Sequence, residues 1–423
     1  MYSMSHFATP CTRAEAAYAD LVDPLAPFRD QFLINPGAPI YLDGNSLGRQ
    51  PRATAQALGD LLGEWGRDLV GGWERWVDLP AAVGDRIGQL IGAGPGQVVV
   101  SDSTTVNLYK LASAAVGSSA ARSVVVGDAN DFPTVRYVLQ GIAARHGLQV
   151  RLVGSSPTEG ADLDALAGAI DQDVGLVCLS GVNYRSGAVA DMEGVNEAAR
   201  RAGALTLWDL SHAAGAIPVQ LDATGADLAV GCGYKYLNGG PGAPSWLYVR
   251  AGLQTSLRQP IWGWWGQEDQ FAMADDYEPV PTVGRFLTGT PAIAGIVALD
   301  AGISPLLAAG LPALWEKTKR LVELFAVRAE TMLAPLGAKN ASPDDPARRG
   351  GHFAISHPDA WAATRVLIDR GLVVPDFRAP DVIRLAPVAL YTSYVEAWDA
   401  IDRIATVLAG ASVQDAVPKR RIT

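Results

Sequence analysis

The feature that most constrains the fold is an alternation of short apolar runs with alanine-rich stretches through the middle of the chain. The apolar runs have the length and the Val and Leu content of buried strands, whereas stretches such as 161–170 and 192–202 have helical character. Strands that alternate with helices form a mostly parallel sheet covered on both faces. The sequence therefore predicts an α/β fold. The predicted strands are 98–100, 123–126, 149–153, 175–179, 205–208 and 227–230.

The segments on either side of this alternation suggest three regions. We expect an arm at 1–60 that joins a smaller domain, a large domain at 61–295, and a small α+β C-terminal domain at 296–423. The tail at 417–423 reads as disordered. Outside the large domain the predicted helices are 12–22, 292–333, 360–370 and 394–408, with a long amphipathic helix at 53–67, and the predicted strands are 40–42, 351–356 and 382–385.

Two polar residues follow neighbouring predicted strands of the large domain. Asp209 ends the run Leu-Thr-Leu-Trp at 205–208, and Lys235 follows the apolar run 228–232 among glycines and aromatic residues. Ligands of open α/β sheets bind at the carboxyl ends of the strands. A partly desolvated lysine loses its proton more readily and can form a Schiff base with an aldehyde, while a carboxylate can keep a pyridine nitrogen protonated. The pair therefore points to pyridoxal 5'-phosphate (PLP).

Two further segments supply what the rest of such a cofactor needs. Thr104 and Thr105 open a predicted helix directly after the strand at 98–100, and the N-terminus of a helix binds anions such as phosphate. Phe132, on a loop before Pro133, offers a flat apolar surface for a pyridine ring. Some of these residues also have an ordinary structural interpretation: Asp209 and the threonines as helix caps, and Lys235 as a solvated loop residue.

Five motifs, in this order along nearly the whole chain, resemble the kynureninase family. These are PLP enzymes of fold type I in the class-V aminotransferase superfamily. The resemblance implies a large mostly parallel sheet domain with a smaller α+β domain, and hydrolysis of L-kynurenine or 3-hydroxykynurenine to anthranilate or 3-hydroxyanthranilate and L-alanine. The motifs are YLDGNSLG at 41–48, WDLSHAAG at 208–215, YKYLN at 234–238, WGWWG at 262–266 and RLAPVALY at 384–391.

The resemblance also implies a role for each matching residue. Lys235 is the Schiff-base lysine and proton shuttle, Asp209 pairs with the pyridinium nitrogen, and Tyr234 contacts the phosphate and is a candidate general acid. Arg384 clamps the α-carboxylate of the substrate, for which a bidentate guanidinium is suited. The other implied cofactor-binding residues are Thr104 and Thr105 at the phosphate, Phe132 and His212 beside the ring, Ser180, and Trp264 and Thr290, which reach the phosphate from a second subunit.

Two positions depart from the family pattern close to the cofactor. The family commonly has Asp where this chain has Val135, and it often has Thr-His where this chain has Ser180 and Gly181. Both changes bear on acid–base assistance and on substrate preference rather than on PLP binding. A ring-substituted kynurenine is therefore an open alternative.

Bulk properties exclude several classes of protein. A formal net charge of −10 disfavours nucleic acid as a partner, and no apolar run reaches membrane-spanning length. Residues 1–10 lack the pattern of a signal peptide. The three cysteines, Cys11, Cys178 and Cys232, form no metal pattern, so we expect no metal. We expect a cytoplasmic enzyme with a small-molecule substrate, and the resemblance implies a homodimer in tryptophan catabolism, the kynurenine pathway and NAD biosynthesis.

Three other functions stay open on the residues alone. A class-V aminotransferase or another PLP enzyme acting on an aryl amino acid shares the fold and the lysine. A cysteine desulfurase needs a nucleophilic cysteine near the C-terminal domain. The last cysteine here is Cys232, which counts against this function. A catalytically silent scaffold is disfavoured because Lys235 and Asp209 are both retained.

Overall fold

The computed structural model describes residues 9–119 and 121–410, so the predicted disordered tail lies outside the described residues. Strands and helices alternate through residues 98–231, as the sequence predicts. The strands are β1 Ile40–Tyr41, β2 Val98–Ser101, β3 Val124–Asp128, β4 Gln149–Val153, β5 Val174–Ser180, β6 Leu205–Asp209, β7 Leu228–Gly231, β8 Ser245–Val249, β9 Lys339–Asn340, β10 Phe353–Ser356, β11 Val373–Val374, β12 Asp376–Arg378 and β13 Val382–Leu385.

Thirteen α-helices occur among the described residues. They are α1 Arg13–Leu21, α2 Arg52–Asp68, α3 Trp73–Trp76, α4 Leu79–Ile91, α5 Thr104–Ser118, α6 Pro133–His146, α7 Leu163–Ala169, α8 Met192–Ala202, α9 Leu221–Thr224, α10 Ile293–Ala309, α11 Leu311–Arg328, α12 Ala360–Asp369 and α13 Tyr394–Ala409.

The main sheet has seven strands in the order β2-β8-β7-β6-β5-β3-β4. Strands β7, β6, β5, β3 and β4 are parallel, and β8 is antiparallel to both of its neighbours. Side chains alternate between the two faces, so that Val98 and Val100 join one hydrophobic core and Val99 joins the other. The predicted α/β fold is confirmed. Strand β8, which lies in a Gly- and Pro-rich context, was not predicted.

A smaller four-stranded antiparallel sheet, β12-β13-β10-β9, has its own apolar core. The N-terminal segment reaches it, since β1 pairs in parallel with β11 and Asp43 bridges to Ala386. Helix α10, which spans the expected boundary at about residue 296, packs against α2 and α4. The three-part division of the chain stays a prediction.

The long helical stretch expected at 292–333 is wrong in one respect. Gly310, at φ 77°, separates α10 from α11, because a residue with positive φ ends a right-handed helix. Within the described ranges no individual helix is long and apolar enough to cross a membrane. The pair Ile293–Ala309 and Leu311–Leu336 passes on length and composition only when taken together, and it is bent by 85°.

Candidate active site

A cavity of about 300 Å³ lies at the carboxyl ends of the central parallel strands. Its walls come from the main sheet, from the N-terminus of α5 and from the β12–β13 hairpin of the smaller sheet. Most of the residues predicted from the sequence meet here. The lining residues are Ser46, Thr104, Thr105, Leu108, Phe132, Thr134, Ser180, Val182, Tyr184, Asp209, Ser211, His212, Tyr234, Lys235, Arg378 and Arg384.

The sheet register places Asp209 at the centre of the cavity floor. It is the last residue of β6, directly opposite Ser180 at the end of β5. One carboxylate oxygen accepts a hydrogen bond of 2.9 Å from the Ser211 backbone N–H, which orients the side chain. A carboxylate held this way, with 8% of its surface exposed, is available to a cationic ring nitrogen in the cavity.

Lys235 enters the cavity from the turn that follows β7. The turn is held from behind by Gly48, whose N–H donates to the Tyr234 carbonyl at 2.8 Å. A side chain at Gly48 would meet the Lys235 carbonyl oxygen at 2.4 Å, so glycine is required there. Lys235 Nζ lies 2.9 Å from His212 Nε2. Burial lowers the pKa of Lys235, as does the charge of Arg384, although Asp209 opposes the shift.

The start of α5 forms the anion-binding end of the cavity. Ser103 caps the helix by accepting from the Val106 backbone N–H, and Thr104 and Thr105 occupy the first turn. The positive end of a 15-residue helix and two hydroxyls favour a phosphate at this position. Behind the turn, buried Lys110 pairs with Asp102 at 2.7 Å and fixes the loop that leads into the helix.

Phe132 and Ser180 stand on the side of the cavity formed by β3 and β5. The Phe132 ring is 43% exposed and meets the edge of Tyr184 at a centroid distance of 5.3 Å. Asp131 links the two residues, since it accepts from the Phe132 N–H at 2.6 Å and from the Ser180 N–H at 3.1 Å. The Ser180 hydroxyl also donates to Asp131. The aromatic wall therefore has a fixed position relative to the sheet.

Arg384 approaches from the opposite side, on β13. It is fully buried and forms an ion pair with Asp376 of β12, donates to the Tyr184 carbonyl and lies 3.4 Å from the Ser46 hydroxyl. Asp376 also pairs with Arg378 at 3.1 Å. Burial lowers the pKa of Arg384 to about 10, which still leaves the guanidinium charged at neutral pH. Two guanidinium groups thus face the cavity, paired with Asp376 and attracted by the nearby carboxylate of Asp43.

His212 and Tyr234 complete the cluster around Lys235. Burial lowers the pKa of His212 well below its ordinary value, as does the neighbouring charge of Lys235, so the imidazole is neutral. Burial also raises the pKa of Tyr234 to about 12. Its hydroxyl is therefore protonated at neutral pH and is able to donate a hydrogen bond or a proton.

Comparisons with known proteins place this geometry in a family. A family model described as the kynureninase C-terminal domain matches residues 314–404. Kynureninase of Pseudomonas fluorescens is 40% identical over 406 residues, which cover 94% of this chain and 95% of that protein. Kynureninase of Burkholderia pseudomallei (strain K96243) is 39% identical with the same coverage.

The chain belongs to the kynureninase family.

Solved structures show the same fold at low identity. The apo cysteine desulfurase of Thermococcus onnurineus NA1 has a TM-score of 0.79 at 18% identity and covers 90% of this chain and 97% of its own. The Escherichia coli cysteine desulfurase CsdA has a TM-score of 0.77 at 17% identity, covering 92% and 99%. At these identities the likeness shows the fold alone, which is fold type I of the PLP-dependent enzymes.

Two of the residues that the kynureninase resemblance names lie outside the cavity. Trp264 is 43% exposed and Thr290 is also on the surface. Neither lines the cavity in the single chain. The kynureninase resemblance implies that these two residues contact the phosphate bound in the active site of a second subunit. That contact stays a prediction.

The two departures from the kynureninase pattern have different structural settings. Val135, on α6, is 1% exposed and packs in the core beneath the sheet rather than in the cavity. Gly181 follows β5, and a side chain there would meet Leu210 Cδ2 at 2.8 Å. A larger residue at 181 therefore requires Leu210 to move.

Sequence reasoning missed several side chains that line the cavity, above all Arg378 and Tyr184. Arg378 reaches it because β12 pairs with β13 in a register that sets Asp376 opposite Arg384. A sequence signal existed, since residues 376–384 contain two arginines and two aspartates around Pro380, but the register of a short hairpin is not visible in the pattern. Among the described residues, no group of three His, Cys, Asp or Glu side chains is arranged to hold a metal ion.

Proposed function

We propose that this chain is a PLP-dependent kynureninase that hydrolyses the Cβ–Cγ bond of L-kynurenine or of its 3-hydroxy form. The products are anthranilate or 3-hydroxyanthranilate and L-alanine. The observation that carries the proposal is the cavity itself: Lys235, Asp209 and Arg384 face one space in a chain that is 40% identical to a kynureninase.

The donor set of the cavity fits PLP. It combines a lysine with a lowered pKa, a carboxylate on the adjacent strand, a helix N-terminus with two hydroxyls, and an exposed aromatic face. A volume of about 300 Å³ lies within the range of small-molecule sites. Lys235 would hold the aldehyde, Asp209 the ring nitrogen, Thr104 and Thr105 the phosphate, and Phe132, Ser180 and His212 the ring. When bound, PLP supplies an electron sink for the bonds at the substrate α-carbon.

Arg384 orients the substrate. Its guanidinium is held by Asp376 and by the Tyr184 carbonyl, so its remaining N–H groups point in a fixed direction. A guanidinium in such a fork binds a carboxylate in a bidentate manner. The α-carboxylate of the amino acid is therefore fixed relative to Lys235, which determines which bonds of the substrate approach the amine.

Lys235 and Tyr234 handle protons. Because burial lowers its pKa, the Lys235 amine releases a proton more readily than a solvated lysine and can accept one from the α-carbon. The Tyr234 hydroxyl stays protonated and is suited to donate toward the carbonyl oxygen or the leaving carbon. Cleavage also requires water at the γ-carbonyl.

A second copy of the chain is part of the proposal. Four large apolar side chains between 262 and 273 are exposed, namely Trp262, Trp264, Phe271 and Met273, at 43–74% of their surface. An exposed apolar patch of this kind marks an interface, and burial of Trp264 there would bring it toward the active site of the other subunit, together with Thr290. All three cysteines are free, which favours a reducing compartment, the cytoplasm.

The experiment is product analysis on the purified protein reconstituted with PLP. We incubate it separately with L-kynurenine, with 3-hydroxykynurenine, and with an L-amino acid plus 2-oxoglutarate. Anthranilate or 3-hydroxyanthranilate together with L-alanine supports the proposal, and Lys235→Ala should abolish both products. Lys319→Ala, which changes an exposed lysine on α11, is the matched control. Glutamate without an anthranilate would establish an aminotransferase instead.

A further inference from the structure

Behind Lys235 lies a group of buried polar side chains that the proposed mechanism does not use. His352 precedes β10 and is 0% exposed, and neither of its ring nitrogens makes a hydrogen bond of normal geometry among the described residues, although the backbone of Arg185 lies near enough to favour its charged form. His212 Nδ1 and the Tyr236 hydroxyl are likewise buried without a partner there. The ring centres of His212 and His352 lie 5.6 Å apart, and those of His212 and Tyr236 lie 6.5 Å apart.

Buried polar atoms are costly unless they are hydrogen-bonded, and clusters of them are satisfied by one another or by an ordered water. Four such atoms in three neighbouring rings, next to the active-site lysine, therefore call for a common explanation. The groups that act on His352 are His212, Lys235, Arg378 and Arg384, together with the backbone of Arg185, and Tyr236 lies on another side of His212.

Both histidines are neutral in this environment. Burial lowers the pKa of His352 and of His212 well below the ordinary value, and the charges of Arg384, Lys235 and Arg378 lower them further. The backbone of Arg185 favours the charged form of His352 but does not outweigh burial. A neutral imidazole carries one N–H and one lone pair, and the hydrogen bond at one nitrogen decides which tautomer is present.

The contact between Lys235 and His212 favours one direction for the hydrogen bonds between His212 and His352. While the amine is protonated it offers only hydrogens, and His212 Nε2, 2.9 Å from Lys235 Nζ, then presents its lone pair. The hydrogen of His212 then lies on Nδ1 and needs an acceptor. The lone pair of His352 is suited to accept it, directly or through one water, while the other nitrogen of His352 donates toward the Arg185 carbonyl. A neutral amine can also accept a hydrogen bond and imposes no such choice, so the tautomer then depends on the group that contacts Nδ1.

We propose that His352 is a positioning residue that holds His212 in the tautomer with hydrogen on Nδ1, and thereby keeps a lone pair on Nε2 directed at Lys235. This inference rests on the proposed function of Lys235 and His212. Because His352 sets the tautomer from behind, the tautomer is the same whether the Lys235 nitrogen is free or bound to PLP.

The test is ¹⁵N NMR of the full-length protein labelled at histidine, recorded with PLP and after its removal. We expect His212 to carry hydrogen on Nδ1 in both samples. His352→Phe keeps a flat ring without nitrogens and should abolish this preference, whereas His352→Gln, which can still accept and donate, should retain it. Tyr236→Phe should leave it unchanged. His357→Gln is the matched control, because His357 bonds to the Leu336 carbonyl and the Asp359 N–H away from the site.

Kinetics supply the second readout. His352→Phe should lower kcat about tenfold and change KM less than about twofold, and His352→Gln should stay within about threefold of the parent kcat. Hydrogen on Nε2 of His212 in the unaltered protein, or an unchanged tautomer in His352→Phe, overturns the inference. If His352→Phe does not fold, the unaltered protein and His352→Gln decide. A protein that binds no PLP refutes the proposed function instead, since the tautomer is still measured without it.

Discussion

The two cationic walls of the cavity are built in opposite ways. Lys235, on the main sheet, has no ion pair among the described residues and is contacted by a neutral histidine. Arg384, on the smaller sheet, is locked against a buried carboxylate, Asp376, and a backbone carbonyl. An unpaired and desolvated amine can exchange its proton, whereas a paired guanidinium keeps its charge and its direction. One wall is suited to chemistry and the other to holding the substrate.

The largest expected effect comes from changing the charge beside the unpaired amine. Asp209→Asn keeps the shape of the side chain but removes the carboxylate that would hold the ring nitrogen, so kcat should fall by about 10³-fold or more. The free energy of unfolding should change little. Steady-state kinetics and urea denaturation measure the two quantities, with Asp164→Asn on the exposed surface of α7 as control.

A near-normal kcat in Asp209→Asn would show that the Asp209 carboxylate is not needed for the reaction. The proposed difference in role between the Lys235 side and the Arg384 side of the cavity would then be wrong.

On the paired wall, removal of the carboxylate should act first on stability. Asp376→Ala removes the ion-pair partner of buried Arg384 and of the partly exposed Arg378, and loss of one member of a buried pair costs about 3–5 kcal/mol. Urea denaturation should show this loss. Asp164→Ala, at an exposed position of α7, is the control. A variant as stable as the parent would show that Asp376 does not hold the arginines.

This wall shows what the sequence could not reveal. Arg384 was recognised through a family motif, but Asp376 and Arg378 join it only because of the register between two strands of three and four residues. On the main sheet, in contrast, Asp209 and Lys235 follow apolar runs that belong to a repeating series of parallel strands, and that repeat sets the direction of each run. Strand ends are therefore predictable where a buried sheet repeats, and are not predictable in a short hairpin.

The same distinction explains the other misses. Strand β8 was not predicted because it follows a segment rich in Gly and Pro, which is typical of turns. It is also antiparallel to its neighbours and so interrupts the alternation of strands and helices. The break at Gly310 was hidden because the apolar pattern continues on both sides of it. The buried position of His352 depends on contacts between the two sheets, which no local pattern encodes.

A third expected effect concerns the pH dependence of the free energy of unfolding. It arises at Asp131, the carboxyl that positions Phe132 and Ser180 at the main sheet. Burial raises the pKa of Asp131 to about 7 from its ordinary 3.8, and Asp209 adds to the shift although Ser180 opposes it. The stability that the protonated group contributes is full below about pH 4 and is lost as the pH rises through 7. Between pH 5 and 8 the loss should reach about 3 kcal/mol at most.

Asp131→Asn removes this titration, so its free energy of unfolding should fall less than that of the parent between pH 5 and 8. Urea denaturation at four pH values measures the difference, with Asp164→Asn again as control. Parallel pH dependences in parent and variant would show that Asp131 is ionised throughout.

The smallest expected effect separates the two guanidinium groups. Arg384→Ala should raise KM about 100-fold, whereas Arg378→Gln, at a partly exposed side chain, should raise it about threefold, with kcat little changed in either. Steady-state kinetics with L-kynurenine measure both. Equal effects of the two variants would mean that the substrate carboxylate lies between them rather than on Arg384.

The account depends most on the unpaired amine of Lys235. The direct measurement is to incubate the protein with PLP, reduce it with borohydride, and locate the modified peptide by mass spectrometry. We predict one pyridoxyl-phosphate group on the peptide that contains Lys235, and none after Lys235→Ala. Attachment to Lys110 or Lys317, or an unmodified protein at saturating PLP, would contradict it.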